Sequence, residues 1–129
     1  MKPVTQTEVG VENPRANCLM AAAASILEVP LESLPDIYEL EQGGLDWWKA
    51  LRDALEPHRL VPLCWNVSPP EWPAIKPPGY SIACGISPRT EKHSHAVVAL
   101  DGEIVFDPHP SRDGLVGPPT FWILLLPAA

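Results

Sequence analysis

A cysteine, a histidine and an aspartate, the residue types that a thiol hydrolase combines, occur in this chain in the order Cys18, His95 and Asp107. A thiol hydrolase needs a thiolate, a base within hydrogen-bond distance, and a group that orients the imidazole of that base. Cys18 falls in the first turn of a predicted helix, where unpaired N–H groups and the helix dipole favour a thiolate. The other interpretation of Cys18 is a small core residue, which is the commoner fate of a free cysteine.

The distance between His95 and Asp107 depends on the turn that joins two predicted strands, residues 93–100 and 103–109. A two-residue turn at Asp101 and Gly102 would place the two side chains on opposite faces of the sheet, because side chains alternate along a strand. A three-residue loop that ends in a left-handed Gly102 would place them directly opposite each other, with Cβ atoms about 5 Å apart. The catalytic hypothesis therefore predicts the three-residue loop.

The same register supports an alternative based on metal binding. It places His93 opposite His109, so that His93, His95, Asp107 and His109 share one face, as the ligands of a zinc ion would. This alternative leaves Asn17 and Cys18 without a role. The hydrolase hypothesis has no metal ligands and needs no cofactor.

The predicted elements place helices before strands, which indicates an α+β protein whose N-terminal helices pack on a C-terminal antiparallel sheet. The first helix covers residues 18–27, with Asn17 as its side-chain cap, and ends before Pro30. Residues 31–37 read as a short helix or turn, and 45–58 as a third helix with a periodic apolar stripe. Strands are predicted at 60–65, 80–86, 93–100, 103–109 and 120–126. A length of 129 residues fits one domain, 1–129.

Composition limits the functional classes. The net charge of -7 argues against a nucleic-acid partner, and the longest apolar run, residues 121–126, is too short to cross a membrane. An odd number of cysteines without a Cys-x-x-Cys pair, and a start without signal-peptide features, predict a reducing, cytoplasmic location. Cys64 and Cys84 fall in predicted strands and are expected to be inert core thiols, and Trp47 and Trp122 are expected to be core residues.

The chain resembles the papain-like cysteine peptidases, in particular the compact bacterial and phage branch that includes the peptidase domains that process bacteriocin leaders. The matching residues are Asn17-Cys18-Leu19-Met20-Ala21, Ala24-Ser25-Ile26-Leu27, Val29-Pro30-Leu31-Glu32-Ser33-Leu34-Pro35, His95-Ala96-Val97-Val98, Gly102 and Asp107-Pro108. The resemblance implies a papain-like fold and a peptide or protein substrate. It also implies that Cys18 attacks a carbonyl, that His95 transfers the proton, and that Asp107 orients His95.

The resemblance further implies a glutamine, about six residues before the cysteine, that donates a hydrogen bond to the oxyanion. This chain has Glu12 there, and a carboxylate has no N–H to donate. Gln6 and Asn13 are the alternative donors. This departure motivates a second hypothesis, a papain-like binding module that has lost turnover. Trp72 and Arg112, both in proline-rich segments, are the candidate substrate-binding residues.

Overall fold

The computed structural model describes residues 1–66 and 76–129, and within these ranges it is an α+β structure. Three helices come first: α1 (Cys18–Leu27), α2 (Ile37–Gln42) and α3 (Trp47–Leu55). Five strands follow: β1 (Leu60–Asn66), β2 (Tyr80–Ser87), β3 (Thr90–Leu100), β4 (Glu103–Phe106) and β5 (Val116–Pro127). The predicted order of helices before strands, and the α+β class, are confirmed.

The five strands form one antiparallel sheet in the order β1-β5-β2-β3-β4. Helix α1 packs on β2 and β3, and α3 packs near β1. The main core lies between the helices and one face of the sheet, where the alanines of α1 meet alternate residues of the strands, including Ile82, Val98 and Ile123. Small alanine side chains let the helix backbone approach the sheet closely, which explains why α1 is almost completely buried.

Helix α1 has the predicted bounds, but its predicted cap is wrong. The side chain of Asn17 makes no hydrogen bond to the first turn of α1. Its Oδ1 instead accepts hydrogen bonds from the backbone N–H groups of Thr7 and Glu8, both at 3.1 Å, and its Nδ2 donates to Thr7 Oγ1 at 2.9 Å. Asn17 therefore fixes the N-terminal segment against the start of α1 and leaves the first-turn N–H groups of the helix without a side-chain cap.

The second helical region differs from its prediction. Residues Leu31–Ser33 form a single 3-10 turn, and the helix proper, α2, begins only at Ile37. Asp36 starts it by accepting a hydrogen bond from the Tyr38 backbone N–H at 2.9 Å. Such a short helix has little periodicity of its own, so only the capping residue marks it in the sequence.

The hairpin between β3 and β4 has a different turn from the predicted one. Leu100 pairs with Glu103, so the turn has two residues, and Asp101 and Gly102 have φ angles of 51° and 81°. Positive φ at both positions is the geometry of a type I′ turn. The register then shifts, because Ala99 pairs with Ile104 while Val98 pairs with Phe106, which leaves Val105 as an extra residue. This β-bulge, rather than the turn, changes the alternation of side chains in β4.

The prediction of the three-residue loop Leu100-Asp101-Gly102 is therefore wrong. The structure nevertheless contains the change in side-chain alternation that the three-residue loop would have produced. Beyond the bulge the β4 register advances by one residue, so Asp107 continues on the face that Val97 and His95 share. The bulge lets the carboxylate reach His95 across the end of the hairpin.

Within the described residues no single helix is long and apolar enough to span a membrane. One bent pair, Cys18–Leu27 with Leu31–Gln42, passes by length and composition alone, and its two parts meet at 98°.

Candidate active site

His95 and Asp107 form a buried hydrogen-bonded pair. The distance between His95 Nε2 and Asp107 Oδ1 is 2.6 Å, and the side chains are 4% and 3% exposed. Strand β4 pairs only with Val98–Leu100, so His95 lies just before the part of β3 that β4 covers, and Asp107 lies just after β4 ends. The hairpin therefore presents the pair at its open end.

The loop after β4 holds the Asp107 carboxylate in place. Oδ1 also accepts the His109 backbone N–H at 2.9 Å, and Oδ2 accepts the Gly114 N–H at 2.7 Å. Burial alone would raise the pKa of Asp107, but the hydrogen bonds from His95, His109 and Gly114 outweigh it and lower that pKa. The carboxylate is thus ionised and fixed by three donors, as a group that orients an imidazole must be.

Cys18 lies beside this pair, as the catalytic hypothesis requires. It is the first residue of α1, it is half-buried, and it lines the same cavity as His95. Burial alone would lower the pKa of His95, but the hydrogen bond with Asp107 and the nearby Cys18 raise it to about 9. Since Asp107 occupies Nε2, the nitrogen left to face the sulfur is Nδ1. His95 is accordingly an imidazolium at neutral pH.

Gln6 reaches the site from the N-terminal segment. Its side chain is buried, and it lines the cavity that contains Cys18 and His95. A backbone hydrogen bond from the Gln6 N–H to the Pro108 carbonyl, 2.9 Å, fastens it to the Asp107 loop. Nε2 donates to the Glu8 carbonyl at 2.9 Å, and Oε1 has no partner among the described residues. An amide nitrogen carries two hydrogens, so one remains to donate into the cavity.

Asn13 lines the same cavity but is less suited to donate. Its Nδ2 has two acceptors already, Glu8 Oε2 at 3.2 Å and the Val9 carbonyl at 3.0 Å, and its Oδ1 accepts from the Arg15 N–H. Both amide hydrogens are therefore used within the N-terminal segment. Of the two predicted oxyanion donors, Gln6 has the free hydrogen.

Two cavities meet at Cys18. The first, which we call the acidic cavity, has a volume of about 360 Å³, an apolar wall that includes Leu31, Leu34 and Trp47, and the carboxyl residues Glu32, Asp36 and Glu41 at its edge. The second, the histidine cavity, has a volume of about 390 Å³ and contains His95 together with Arg89, His93 and His109. Cys18 lines both cavities, and we call the two together the cleft.

Trp47 and Cys64 correct two predictions about the core. Trp47 is 40% exposed, because it forms part of the acidic cavity, whereas Trp122 is buried as predicted. Cys64 is exposed on the edge strand β1, whereas Cys84 is buried and burial raises its pKa. The chain therefore offers one thiol beside an imidazole, one exposed thiol and one buried thiol, which is a useful set of internal comparisons.

The candidate substrate-binding residues have different outcomes. Arg112 lines neither cavity; its Nη1 donates to the Asp107 carbonyl at 2.6 Å, and its Nη2 donates to Thr5 Oγ1 at 2.7 Å. It therefore ties the Asp107 loop to the N-terminal segment. Trp72 falls in residues 67–75, outside the described residues.

The metal alternative receives no support from the geometry. His109 stacks edge-on against His95 with ring centroids 6.1 Å apart, and His93 is exposed. In residues 1–66 and 76–129 no three His, Cys, Asp or Glu side chains are arranged to hold a metal ion. His95 Nε2, which would be a metal ligand, is hydrogen-bonded to Asp107 instead.

No family model, curated protein sequence or solved structure significantly matches this chain.

Proposed function

We propose that the protein is a cysteine hydrolase of papain-like design that cleaves an amide bond in a peptide or protein through a covalent thioester. The observation that carries this proposal is the buried His95–Asp107 pair with Cys18 beside it in one cleft. A free cysteine in a core needs no ionised carboxylate and no charged imidazole beside it. A catalytic thiol is activated by such an imidazole, and the carboxylate holds the imidazole in orientation.

The reaction follows from the positions of these groups. The Cys18 thiolate attacks the carbonyl carbon, and the carbonyl oxygen becomes an oxyanion. The His95 imidazolium then gives its proton to the leaving nitrogen, the C–N bond breaks, and an amine departs, leaving an acyl thioester on Cys18. Water attacks the thioester, His95 accepts its proton, and the C–S bond breaks to release a carboxylic acid and restore the thiolate.

Two donors support the oxyanion. The backbone N–H of Cys18 is in the first turn of α1, so it has no acceptor within the helix, and the Asn17 side chain does not cap that turn. The second donor is the remaining amide hydrogen of Gln6. This pair supplies the function that the sequence pattern leaves open at Glu12. The three free cysteines fit a reducing compartment, so we also propose a cytoplasmic site of action.

The proposal predicts an acyl-enzyme on Cys18 and on no other residue. The full chain is incubated with a peptide library, the products are identified by mass spectrometry, and an acid-quenched sample is searched for thioesters. Cleavage and the Cys18 adduct are both expected in the native protein and in Cys64→Ser, and both are expected to be absent in Cys18→Ser. Cleavage that persists in Cys18→Ser would contradict the proposal. No cleavage at all, in a protein whose Cys18 is still unusually reactive, would favour the binding module that has lost turnover.

A further inference from the structure

The cleft has opposite charges on the two sides of the nucleophile. The acidic cavity has three carboxyl residues along its edge, Glu32, Asp36 and Glu41. The histidine cavity is lined by the cationic Arg89 and by three histidines, of which His95 carries a charge. One exposed carboxyl residue, Glu12, also lines the histidine cavity. The Asp107 carboxylate does not line it and already accepts hydrogen bonds from three donors.

The position of His95 fixes which half of a substrate enters which cavity. In the proposed reaction His95 must deliver a proton to the leaving nitrogen, so that nitrogen and the atoms attached to it lie on the imidazole side of Cys18. His95 lines the histidine cavity and not the acidic one. The leaving half of the substrate therefore occupies the histidine cavity, and the acyl half occupies the acidic cavity.

A hydrogen-bond chain through Ser111 links two residues that line the histidine cavity, Arg89 and His109. Arg89 Nη1 donates to Ser111 Oγ at 3.1 Å, and Ser111 Oγ lies 2.9 Å from His109 Nδ1. The Ser111 backbone N–H donates to the same Nδ1 at 3.0 Å, so a neutral His109 carries its proton on Nε2. Burial and the nearby Arg89 lower the pKa of His109, which keeps it neutral. Ser111 thus orients a guanidinium and an imidazole N–H that are both suited to a carboxylate.

On these grounds, and resting on the proposed function, we propose that the substrate's leaving half carries a carboxylate that Arg89 and His109 bind. The acyl half carries an apolar group, which packs on the wall formed by Leu31, Leu34 and Trp47, next to a cationic group that faces Glu32 and Glu41. A peptide with a basic and an apolar residue before the cleaved bond, and a terminal or side-chain carboxylate after it, has this polarity. The opposite orientation would place a carboxylate against carboxylates.

Alkylation of Cys18 tests this recognition without turnover. N-iodoacetylglycine and N-iodoacetylglycinamide differ only in a terminal carboxylate, and with either reagent the thiolate displaces iodide to form a C–S bond. The anionic reagent is expected to alkylate Cys18 about tenfold faster than the neutral one, about the effect of one charge-assisted hydrogen bond, after division by the same ratio at the exposed Cys64. Arg89→Gln is expected to bring this normalised ratio to about one.

The matched control is Lys92→Gln, because Lys92 is an exposed cation on β3, three residues after Arg89, lines neither cavity, and gives the same change in net charge. An equal loss in Lys92→Gln, or a native ratio near one, would overturn the proposal. N-iodoacetylaspartic acid 1-amide carries only a side-chain carboxylate, so its rate relative to N-iodoacetylglycine shows whether the cavity prefers a side-chain or a terminal carboxylate. Alkylation faster than with the neutral reagent, by either acid, supports the proposal.

The acidic cavity is tested with a cationic reagent. N-(2-aminoethyl)iodoacetamide is expected to alkylate Cys18 severalfold faster than N-(2-hydroxyethyl)iodoacetamide, normalised to Cys64, and the double variant Glu32→Gln/Glu41→Gln is expected to lose that preference. Glu28→Gln/Glu56→Gln removes the same charge outside both cavities and is expected to keep it. Equal losses in the two double variants would overturn the assignment of the acyl half. Should Cys18 react no faster than Cys64 with the neutral reagents, the proposed function fails, while the charge ratios still report on recognition.

Discussion

Replacing Asp107 by asparagine is expected to lower kcat/KM for a cleaved peptide by about 10⁴-fold, the loss that follows when a catalytic imidazole loses its orienting carboxylate. Asp107 accepts three hydrogen bonds, from His95 Nε2 and from the His109 and Gly114 backbone N–H groups. An asparagine has one acceptor oxygen, so its amide N–H₂ must face at least one of these donors. The variant therefore loses both the charge that stabilises the imidazolium and the geometry that turns Nδ1 toward Cys18.

The control for this prediction is Asp113→Asn. Asp113 is an exposed carboxylate in the same loop, so it matches the change in charge without a hydrogen bond to His95. It is expected to keep activity within about threefold of the native protein. Steady-state kinetics at pH 7 measure both variants, with urea unfolding to show that each is folded under the conditions of the assay. A folded Asp107→Asn variant with near-native kcat/KM would remove Asp107 from the mechanism.

Replacing Gln6 by alanine is expected to lower kcat by about 10²–10³-fold, because the oxyanion loses one of two donors. The same change is expected to leave alkylation of Cys18 by iodoacetamide unaltered, since displacement of iodide forms no oxyanion. This separation of two reactions at one sulfur distinguishes an oxyanion donor from a residue that only supports the site. The backbone hydrogen bond from Gln6 N–H to the Pro108 carbonyl remains in the variant, so the N-terminal segment keeps its contact with the Asp107 loop.

Gln42→Ala provides the matched control for Gln6→Ala. Gln42 is exposed at the end of α2 and lines neither cavity, so both reactions are expected to proceed at native rates. Parallel losses of hydrolysis and alkylation in Gln6→Ala would mean that Gln6 positions Cys18 or His95. An unchanged kcat would leave the Cys18 backbone N–H as the oxyanion donor and exclude Gln6.

Local sequence signals predict α1 and its start well. These signals are the alanine run, Pro30 after the helix, and the position of Cys18 at the helix start. All of them are local features of the sequence, and the structure reproduces the predicted bounds 18–27. The hydrogen bonds of Asn17 do not follow from its neighbours in the sequence, because its partners are Thr7 and Glu8, ten and nine residues away. The local preference of asparagine for capping a helix competes there with two hydrogen bonds to a distant segment. Propensity scales describe local preferences alone, so they do not include these two hydrogen bonds.

The hairpin shows how a correct spatial prediction can come from an incorrect turn. The Asp101-Gly102 pair indicates a tight hairpin, and both residues adopt the positive φ angles that this turn needs. The bulge at Val105 has no comparable signature in the sequence, yet it changes the face on which Asp107 lies. The requirement that His95 and Asp107 meet predicted a break in simple alternation, but it did not identify which residue provides it.

Gln6 and the two cavities depend on contacts between distant segments. The N-terminal segment is fixed by hydrogen bonds to Ser25 in α1 and to Pro108 beyond β4, neither of which has a local signal in the sequence. Arg89, Ser111 and His109 likewise converge from the β2–β3 turn and from the loop after β4. Residue type and spacing in the sequence identify Cys18, His95 and Asp107 as candidate catalytic residues. Tertiary folding decides which neighbours complete the cleft.

Whether His95 activates Cys18 is decided by the iodoacetamide reactivity of Cys18 relative to Cys64 at pH 6.5, measured by mass spectrometry in the native protein and in His95→Ala. A His95 pKa of about 9 keeps the imidazolium beside the sulfur at this pH, whereas an ordinary exposed thiol is almost entirely protonated. Cys18 is expected to react at least about thirtyfold faster than Cys64 in the native protein, and at a similar rate to Cys64 in His95→Ala. Equal rates for the two thiols in the native protein, or a Cys18 preference that survives in His95→Ala, would show that His95 does not activate Cys18.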